Sequence, residues 1–229
     1  SLYRSVSSMI ESGRKMAAEM LEAATVDIEF GDGEFRIAGT DRIASLAEVA
    51  AASWDDAKRP NDVEPGLYST ERFAPEAGTF PNGCHICEVE VDPATGVTLS
   101  LRYTVEDDVG FVVNPMILEG QIMGGVAQGL GQACGEHALY DLETGQLQTA
   151  TFMDYPMPRA DWVPDIDFNY QEIPSPRNPL GIKGAGEAGT VGAAPAYINA
   201  LLDALSAKGI DHIDMPATPL KVWQTLNSS

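Results

Sequence analysis

The stretch Gly181-Ile182-Lys183-Gly184-Ala185-Gly186-Glu187-Ala188-Gly189-Thr190 follows a proline-studded run, Pro174-Ser175-Pro176-Arg177-Asn178-Pro179. It leads into residues 191–208, whose pattern predicts a helix. Four glycines in ten residues carry a heavy backbone entropy cost, so the local conformation must require them. One cation, Lys183, and one carboxylate, Glu187, sit among small neighbours. Thr190 is placed to cap the helix, which would aim its unpaired N–H groups back over the loop. That geometry suits an anion or a polar cofactor. Gly184, Gly186 and Gly189 also match the spacing of a dinucleotide fingerprint, but that motif needs a strand running into the glycines and an acid ending a second strand about 20 residues on. Here prolines precede the loop and Asp203 falls inside the following helix, so the fingerprint is rejected. A P-loop is rejected as well, because no Gly-Lys-Ser/Thr closes the stretch.

The second informative stretch, residues 116–140, reads as a helix opened by Asn114-Pro115. It contains Gly120, Gly124, Gly125, Gly129, Gly131 and Gly135. Each costs about 1 kcal/mol relative to alanine in a helix interior, so something is expected to approach this backbone very closely. At 100° per residue, Gln121, Gln128 and Gln132 fall within about 40° of one another, with Gly125 between them in sequence. Ile122, Met123, Val126 and Leu130 form the apolar side. The expectation is an amide stripe around a glycine notch that lines a cleft beside the loop.

Working outward, residues 2–23 predict an amphipathic helix with Val6, Ile10, Met16, Met20 and Leu21 among its apolar positions. Residues 25–30 and 34–38 predict a hairpin around Gly31-Asp32-Gly33. Ser45 with Glu48 makes a capping box for a short helix reaching about Trp54. Residues 55–82 are a polar, Pro- and Gly-rich connection. Residues 85–92 and 97–105 alternate around Pro93-Ala94-Thr95-Gly96 as a second hairpin. Further strands are expected over 146–153, 165–173 and 211–215, and Pro216-Ala217-Thr218-Pro219 introduces a last helix. Hairpins mixed with helices predict an α+β fold, with mostly antiparallel or mixed sheets and helices packed on them. The expected domains are 1–63, with helix, hairpin and helix, and 64–229, which carries both glycine-rich stretches.

With 229 residues, 44% hydrophobic and 21% charged, the chain has an ordinary globular composition and enough length for a core. Its net charge of -20 argues against nucleic acid and anionic membrane surfaces, which both select basic patches. No apolar run approaches a membrane span of about 20 residues, and the opening Ser1-Leu2-Tyr3-Arg4 shows no signal peptide, so no membrane insertion and a cytoplasmic location are expected. Three cysteines suggest a reducing compartment. Cys84 and Cys87 have C-x-x-C spacing but fall in a strand, where an offset of three puts the thiols on opposite faces, and no second pair completes a zinc site. Cys134 is read as a small buried hydrophobe.

The run Glu88-Val89-Glu90-Val91-Asp92, Thr95-Gly96, Asp108-x-Gly110, Asn114-Pro115, Gly120-Gln121-x-x-Gly124-Gly125, Gln128-Gly129-x-Gly131, Lys183-Gly184-x-Gly186-Glu187 and Pro216-x-Thr218-Pro219 resembles the molybdopterin-binding large subunit of the xanthine dehydrogenase / aldehyde oxidase / carbon monoxide dehydrogenase family. Bacterial members of the carbon-monoxide-dehydrogenase type are the most similar. The likeness covers residues from about 80 to the end in order and spacing, and residues 1–79 resemble the preceding part of that subunit more weakly. It implies a molybdenum–molybdopterin cofactor, in its cytosine dinucleotide form in bacteria, that oxidises a small carbon substrate with water-derived oxygen. It implies that Glu187 is the active-site base, and that Gln121, Gly124, Gly125, Gln128, Lys183, Gly184, Ala185 and Gly186 help bind the cofactor. Gln121 matches a glutamine that contacts the pterin, and Lys183 orients the loop or balances its charge. A tight, poorly hydrated loop is where a carboxylate becomes a base near neutral pH. The resemblance further implies an upstream part of the same subunit with the remaining cofactor loops, 2Fe-2S and FAD on partner subunits, and no tight cofactor binding by the isolated chain. The contrasting expectation is a non-catalytic scaffold or small-molecule-binding domain whose glycines only allow close helix packing.

Overall fold

The amphipathic pattern at the N-terminus folds as α1 (Leu2–Leu21) in a computed structural model that describes residues 1–228. The chain divides into two compact units, Ser1–Ala74 and Pro75–Ser229, so the division falls within the polar connection. In the first unit, α1 buries Met16, Ala17 and Leu21 against Ile28, Phe35, Val49 and Val63. Val6, expected on the apolar face, is exposed. Strands β1 (Ile28–Gly31), β2 (Glu34–Ile37) and β3 (Ile43–Ser45) form an antiparallel sheet in that order. Asp32 and Gly33 make the first turn, both at positive φ, as a two-residue hairpin loop that follows the strand twist demands. Ser45 caps α2 (Leu46–Ala52), with both reciprocal bonds of the Ser45–Glu48 capping box present.

The second unit is built on β4 (Asn82–Val91), β5 (Thr98–Asp108) and β6 (Ile166–Gln171). β4 and β5 are antiparallel, whereas β6 runs parallel to β5, so the sheet is mixed. On β4 the thiols of Cys84 and Cys87 lie on opposite faces, the first exposed and the second half-buried. Two long helices, α3 (Pro115–Cys134) and α4 (Ala188–Leu205), pack together, and a short one, α5 (Pro219–Asn227), closes the unit. Their core joins Tyr103 and Val105 of β5 to Ile122, Val126 and Leu130 of α3, Tyr197 and Leu201 of α4, and Val222 of α5. Cys134 is half-buried beside this core, and burial pushes its thiol pKa up to about 11.

Several sequence expectations need correction. α3 ends at Cys134 rather than near Tyr140, because Gly135 leaves helical geometry and the Trp162 ring packs where its Cβ would lie. Residues 146–153 form no strand. Thr149 donates its hydroxyl to the His137 carbonyl and accepts the Leu139 N–H, leaving only an isolated bridge between Tyr140 and Leu147. Residues 211–215 are likewise irregular. α4 starts at Ala188 with Glu187 as its N-cap, three positions before the Thr190 cap read from the sequence. Among the described residues, no helix is long and apolar enough to cross a membrane.

Glycine sets the distance between α3 and α4. A Cβ on Gly189 would lie 2.4 Å from the Ile122 carbonyl, and one on Gly129 2.6 Å from the Ala193 methyl. Gly189→Ala is therefore expected to push the helices apart, at a cost of about 1–3 kcal/mol and a melting point lower by several degrees. Thermal unfolding of the chain checks this, and an unchanged midpoint would show that the crossing is loose.

Candidate functional site

The glycine-rich loop is held from below by an ion pair. Asp108, the last residue of β5, receives the Lys183 ammonium in a short contact, and both side chains are largely buried. The other oxygen of Asp108 accepts the Gly110 N–H at 2.9 Å and the Ile173 N–H at 3.3 Å. Burial alone would push the Asp108 carboxyl up, but Lys183 and the two amides outweigh it and hold it below the usual carboxylate range. Backbone bonds complete the anchor: Lys183 N–H to the Val109 carbonyl at 3.0 Å and Phe111 N–H to the Gly181 carbonyl at 3.1 Å. Gly110 has φ +67°, and a Cβ there would meet the Gly181 carbonyl at 2.3 Å, so this crossing demands glycine. Asn178, from the proline-rich run, brackets Ile182 by donating to its carbonyl and accepting its N–H.

Residues of the anchored loop line two cavities. Gly184, Gly186 and Glu187 border a cavity of about 530 Å³, together with Phe80, His85 and Asp107. Lys183 and Ala185 border a smaller one of about 320 Å³ with Val109, Ile117 and Gln121. Glu187 is exposed, and although it is the N-cap residue of α4, its side chain makes no capping bond. No hydrogen bond or ion pair holds its carboxylate among the described residues. The expectation of a poorly hydrated carboxylate is thus not met by this chain's own atoms, which leave one side of the cavity open.

Helix α3 presents its N-terminal half to the same loop. The Gln121 amide nitrogen lies 3.3 Å from where a Cβ on Gly186 would stand. Thr190, expected as a cap, instead donates its hydroxyl to the Gly125 carbonyl at 3.1 Å and to Gln128 Oε1 at 3.2 Å. The notch at Gly125 is filled by α4: a Cβ there would sit 2.9 Å from the Thr190 nitrogen. Gly125 is thus committed to internal packing, as Lys183 is to Asp108. Gly120, Gly124 and Gly184 differ, because among the described residues nothing beyond their own neighbours and helix backbone lies within 4 Å of their would-be Cβ positions. Gln121, Gln128 and Gln132 are all exposed.

The sequence reading passed over His85 and Asp107. Strand alternation places His85 on the inward face with Cys87 and Val89. Register then sets Gly83 opposite Asp107 and His85 opposite Val105, bringing both polar side chains to one wall of the larger cavity. Among the described residues, no cluster of three or more His, Cys, Asp or Glu is grouped to hold a metal ion.

Comparison with known proteins adds a lineage to this geometry. The family described as molybdopterin cofactor-binding domain matches residues 2–164, which include the α3 glutamines and precede the Glu187 loop. The 6-hydroxypseudooxynicotine dehydrogenase complex subunit gamma of Paenarthrobacter nicotinovorans is 39% identical over 94% of the chain and 27% of its own length. The carbon monoxide dehydrogenase large chain of Hydrogenophaga pseudoflava is 37% identical over 93% of the chain and 26% of its own length. The crystal structure of quinoline 2-oxidoreductase from Pseudomonas putida 86 superimposes with a TM-score of 0.84 at 37% identity, over 96% of this chain and 28% of that one. The chain thus spans about a quarter of the length of the curated relatives it matches.

Removing one member of the loop anchor should be costly. Lys183→Met leaves Asp108 buried and unpaired and is expected to destabilise the chain by about 3 kcal/mol or more. Because the folded Asp108 is held low, its stabilising contribution is present above about pH 4 and drains away as pH falls below that value. The stability gap between wild type and Asp108→Asn should therefore narrow in acid, as denaturant melts between about pH 3 and 7 would reveal. A gap independent of pH would remove the ion pair from the account.

Proposed function

The chain belongs to the molybdopterin cofactor-binding domain family, and from that premise we propose that it forms part of the large subunit of a molybdenum-dependent oxidoreductase in which Glu187 is the general base. The observation that carries this reading is the state of Glu187, an exposed carboxylate with no partner among the described residues, lining a cavity at the end of a loop anchored by a buried ion pair. A carboxylate kept for capping or for a salt bridge would be engaged, and this one is free to accept a proton.

The residues present fit a pterin-type group. Gly124 and Gly184 leave bare backbone facing open space, and Gln121 offers an amide beside Gly186. In this reading Gln121, Gly124, Gln128, Gly184, Ala185 and Gly186 would hold the cofactor. Lys183 and Gly125 act one step back, by anchoring the loop and by seating α4 against α3. When bound, the molybdenum–pterin group would supply two-electron oxidation of a small carbon substrate, with oxygen drawn from water. Glu187 would take the proton of the attacking oxygen at its carboxylate. Shielding from water would come from the upstream part of the same subunit. The full reading also includes a cytosine dinucleotide form of the cofactor, iron–sulfur and flavin centres on partner subunits, and a cytoplasmic assembly.

The contrasting scaffold expectation is right about some glycines, since Gly125, Gly129 and Gly189 do serve helix packing. It has no use for an unengaged Glu187 or for open backbone at Gly124.

In the complete subunit, Glu187→Gln is expected to keep wild-type molybdenum content and to lose turnover per bound metal by about 10²-fold or more. Wild-type turnover per metal would overturn the assignment. The isolated 229-residue chain is expected to carry no stoichiometric molybdenum, which elemental analysis of the purified chain checks directly.

A further inference from the structure

The wall of the larger cavity opposite the loop contains a polar chain that the proton transfer at Glu187 does not use. His85 Nδ1 lies 2.9 Å from the Tyr103 hydroxyl, with the two rings edge to face at 5.7 Å. His85 Nε2 lies 3.5 Å from Asp107 Oδ1. Tyr103 is fully buried, and that burial pushes its pKa far up, so the hydroxyl keeps its proton. Among the described residues its sole hydrogen-bond partner is His85. A buried O–H must find an acceptor, so Tyr103 donates to Nδ1 and the imidazole proton resides on Nε2, facing Asp107.

Asp107 stands at the end of the chain, its Oδ1 at ion-pair range from His85 Nε2 and with no hydrogen bond among the described residues. It is 3% exposed, and its Oδ2 is one of two buried side-chain polar atoms without a partner among the described residues. The fold makes room for this arrangement with two glycines. A Cβ on Gly83 would lie 1.9 Å from Asp107 Oδ1, and one on Gly192 of α4 would lie 2.5 Å from the His85 ring. A buried acceptor left unmade is expensive, and carboxyl rotation about χ2 is soft enough to meet a donor entering the cavity.

We propose that Asp107, positioned by His85 and Tyr103, recognises an N–H donor of a nitrogen heterocycle bound in the cavity bordered by Glu187. This deepens the functional reading above and rests on it for the kind of occupant. Two carboxylates then divide the work: exposed Glu187 accepts a proton, while buried Asp107 accepts a hydrogen bond and orients the ligand. A cavity of about 530 Å³ is of a size that holds such a ring system. The N–H could belong to the pterin of the cofactor or to a heterocyclic substrate, and the experiment separates the two.

The test compares the full-length subunit with its Asp107→Asn variant, which keeps the shape but can turn an amide donor toward the ligand's donor. Pterin and molybdenum per polypeptide are measured first. A loss of about tenfold or more in cofactor retention at an unchanged melting temperature assigns the contact to the cofactor. Wild-type content, with about tenfold weaker binding of 2-quinolone as an N–H lactam probe, assigns it to a substrate. Equal content and equal 2-quinolone affinity would overturn the proposal, as would an effect confined to melting temperature. Should Asp107→Asn fail to fold, Tyr103→Phe frees the imidazole tautomer and must weaken the same binding step, and unaltered binding there is equally fatal. ¹⁵N spectra of wild-type His85 should show a proton on Nε2, and a proton on Nδ1 would break the chain as drawn. A wild-type subunit that carries no pterin at all would instead refute the functional reading on which the proposal rests.

Discussion

The Asp108–Lys183 ion pair is the contact on which the site depends. It ties the end of β5 to the middle of a loop 75 residues later in sequence. Neither group could be buried alone without a large desolvation penalty, and together they also satisfy two backbone amides. The pair therefore works less as a source of net stability than as a specification: Asp108 and Lys183 stay paired only while the loop lies against the end of β5. That placement sets Gly184, Gly186 and Glu187 on one cavity and Lys183 and Ala185 on another.

Glycine appears here in two physical roles that look alike in sequence. Gly125, Gly129 and Gly189 lie in the crossing of α3 and α4, where a methyl group would strike the opposite helix. Cβ atoms at Gly120, Gly124 and Gly184 would meet no other segment among the described residues. In α3, Gly120 and Gly124 carry the usual propensity penalty of about 1 kcal/mol each, with no packing contact among the described residues to offset it. The proposed cofactor, approaching the backbone from outside the chain, would supply the missing reason. The two roles sit on adjacent faces of α3, so the packing that fixes α4 also fixes the open face beside the loop.

Three carboxylates, two at the end of β5 and one at the start of α4, show how environment separates similar groups. Asp108 is buried, ion-paired and held low; Asp107 is buried with one oxygen unmatched; Glu187 is exposed and unengaged. Their differing surroundings suit Asp108 to anchoring and underlie the roles proposed for Asp107 in recognition and Glu187 in proton transfer. Two of the three sit next to each other in sequence at the end of β5, and strand alternation sends their side chains in opposite directions.

Much was legible before any coordinates. Local signals fixed the Ser45–Glu48 capping box, the turn at Asp32-Gly33, the β4–β5 hairpin and the start of α3 at Asn114-Pro115, because each depends on contacts a few residues apart. The glycine-rich loop, its Glu187 and the family likeness were equally readable, since they lie in short runs of unusual composition. What the sequence could not order was everything set by distant partners. Thr190 looked like a cap but bonds to α3, and Gly125 looked like a ligand notch but holds α4. Residues 146–153 alternate like a strand, yet a threonine hydroxyl captures the backbone groups that a neighbouring strand would need. His85 and Asp107 come from different strands and meet only through register. Composition and short-range pattern determine which elements can form, whereas long-range packing and the pairing of buried polar groups decide which faces those elements turn to one another.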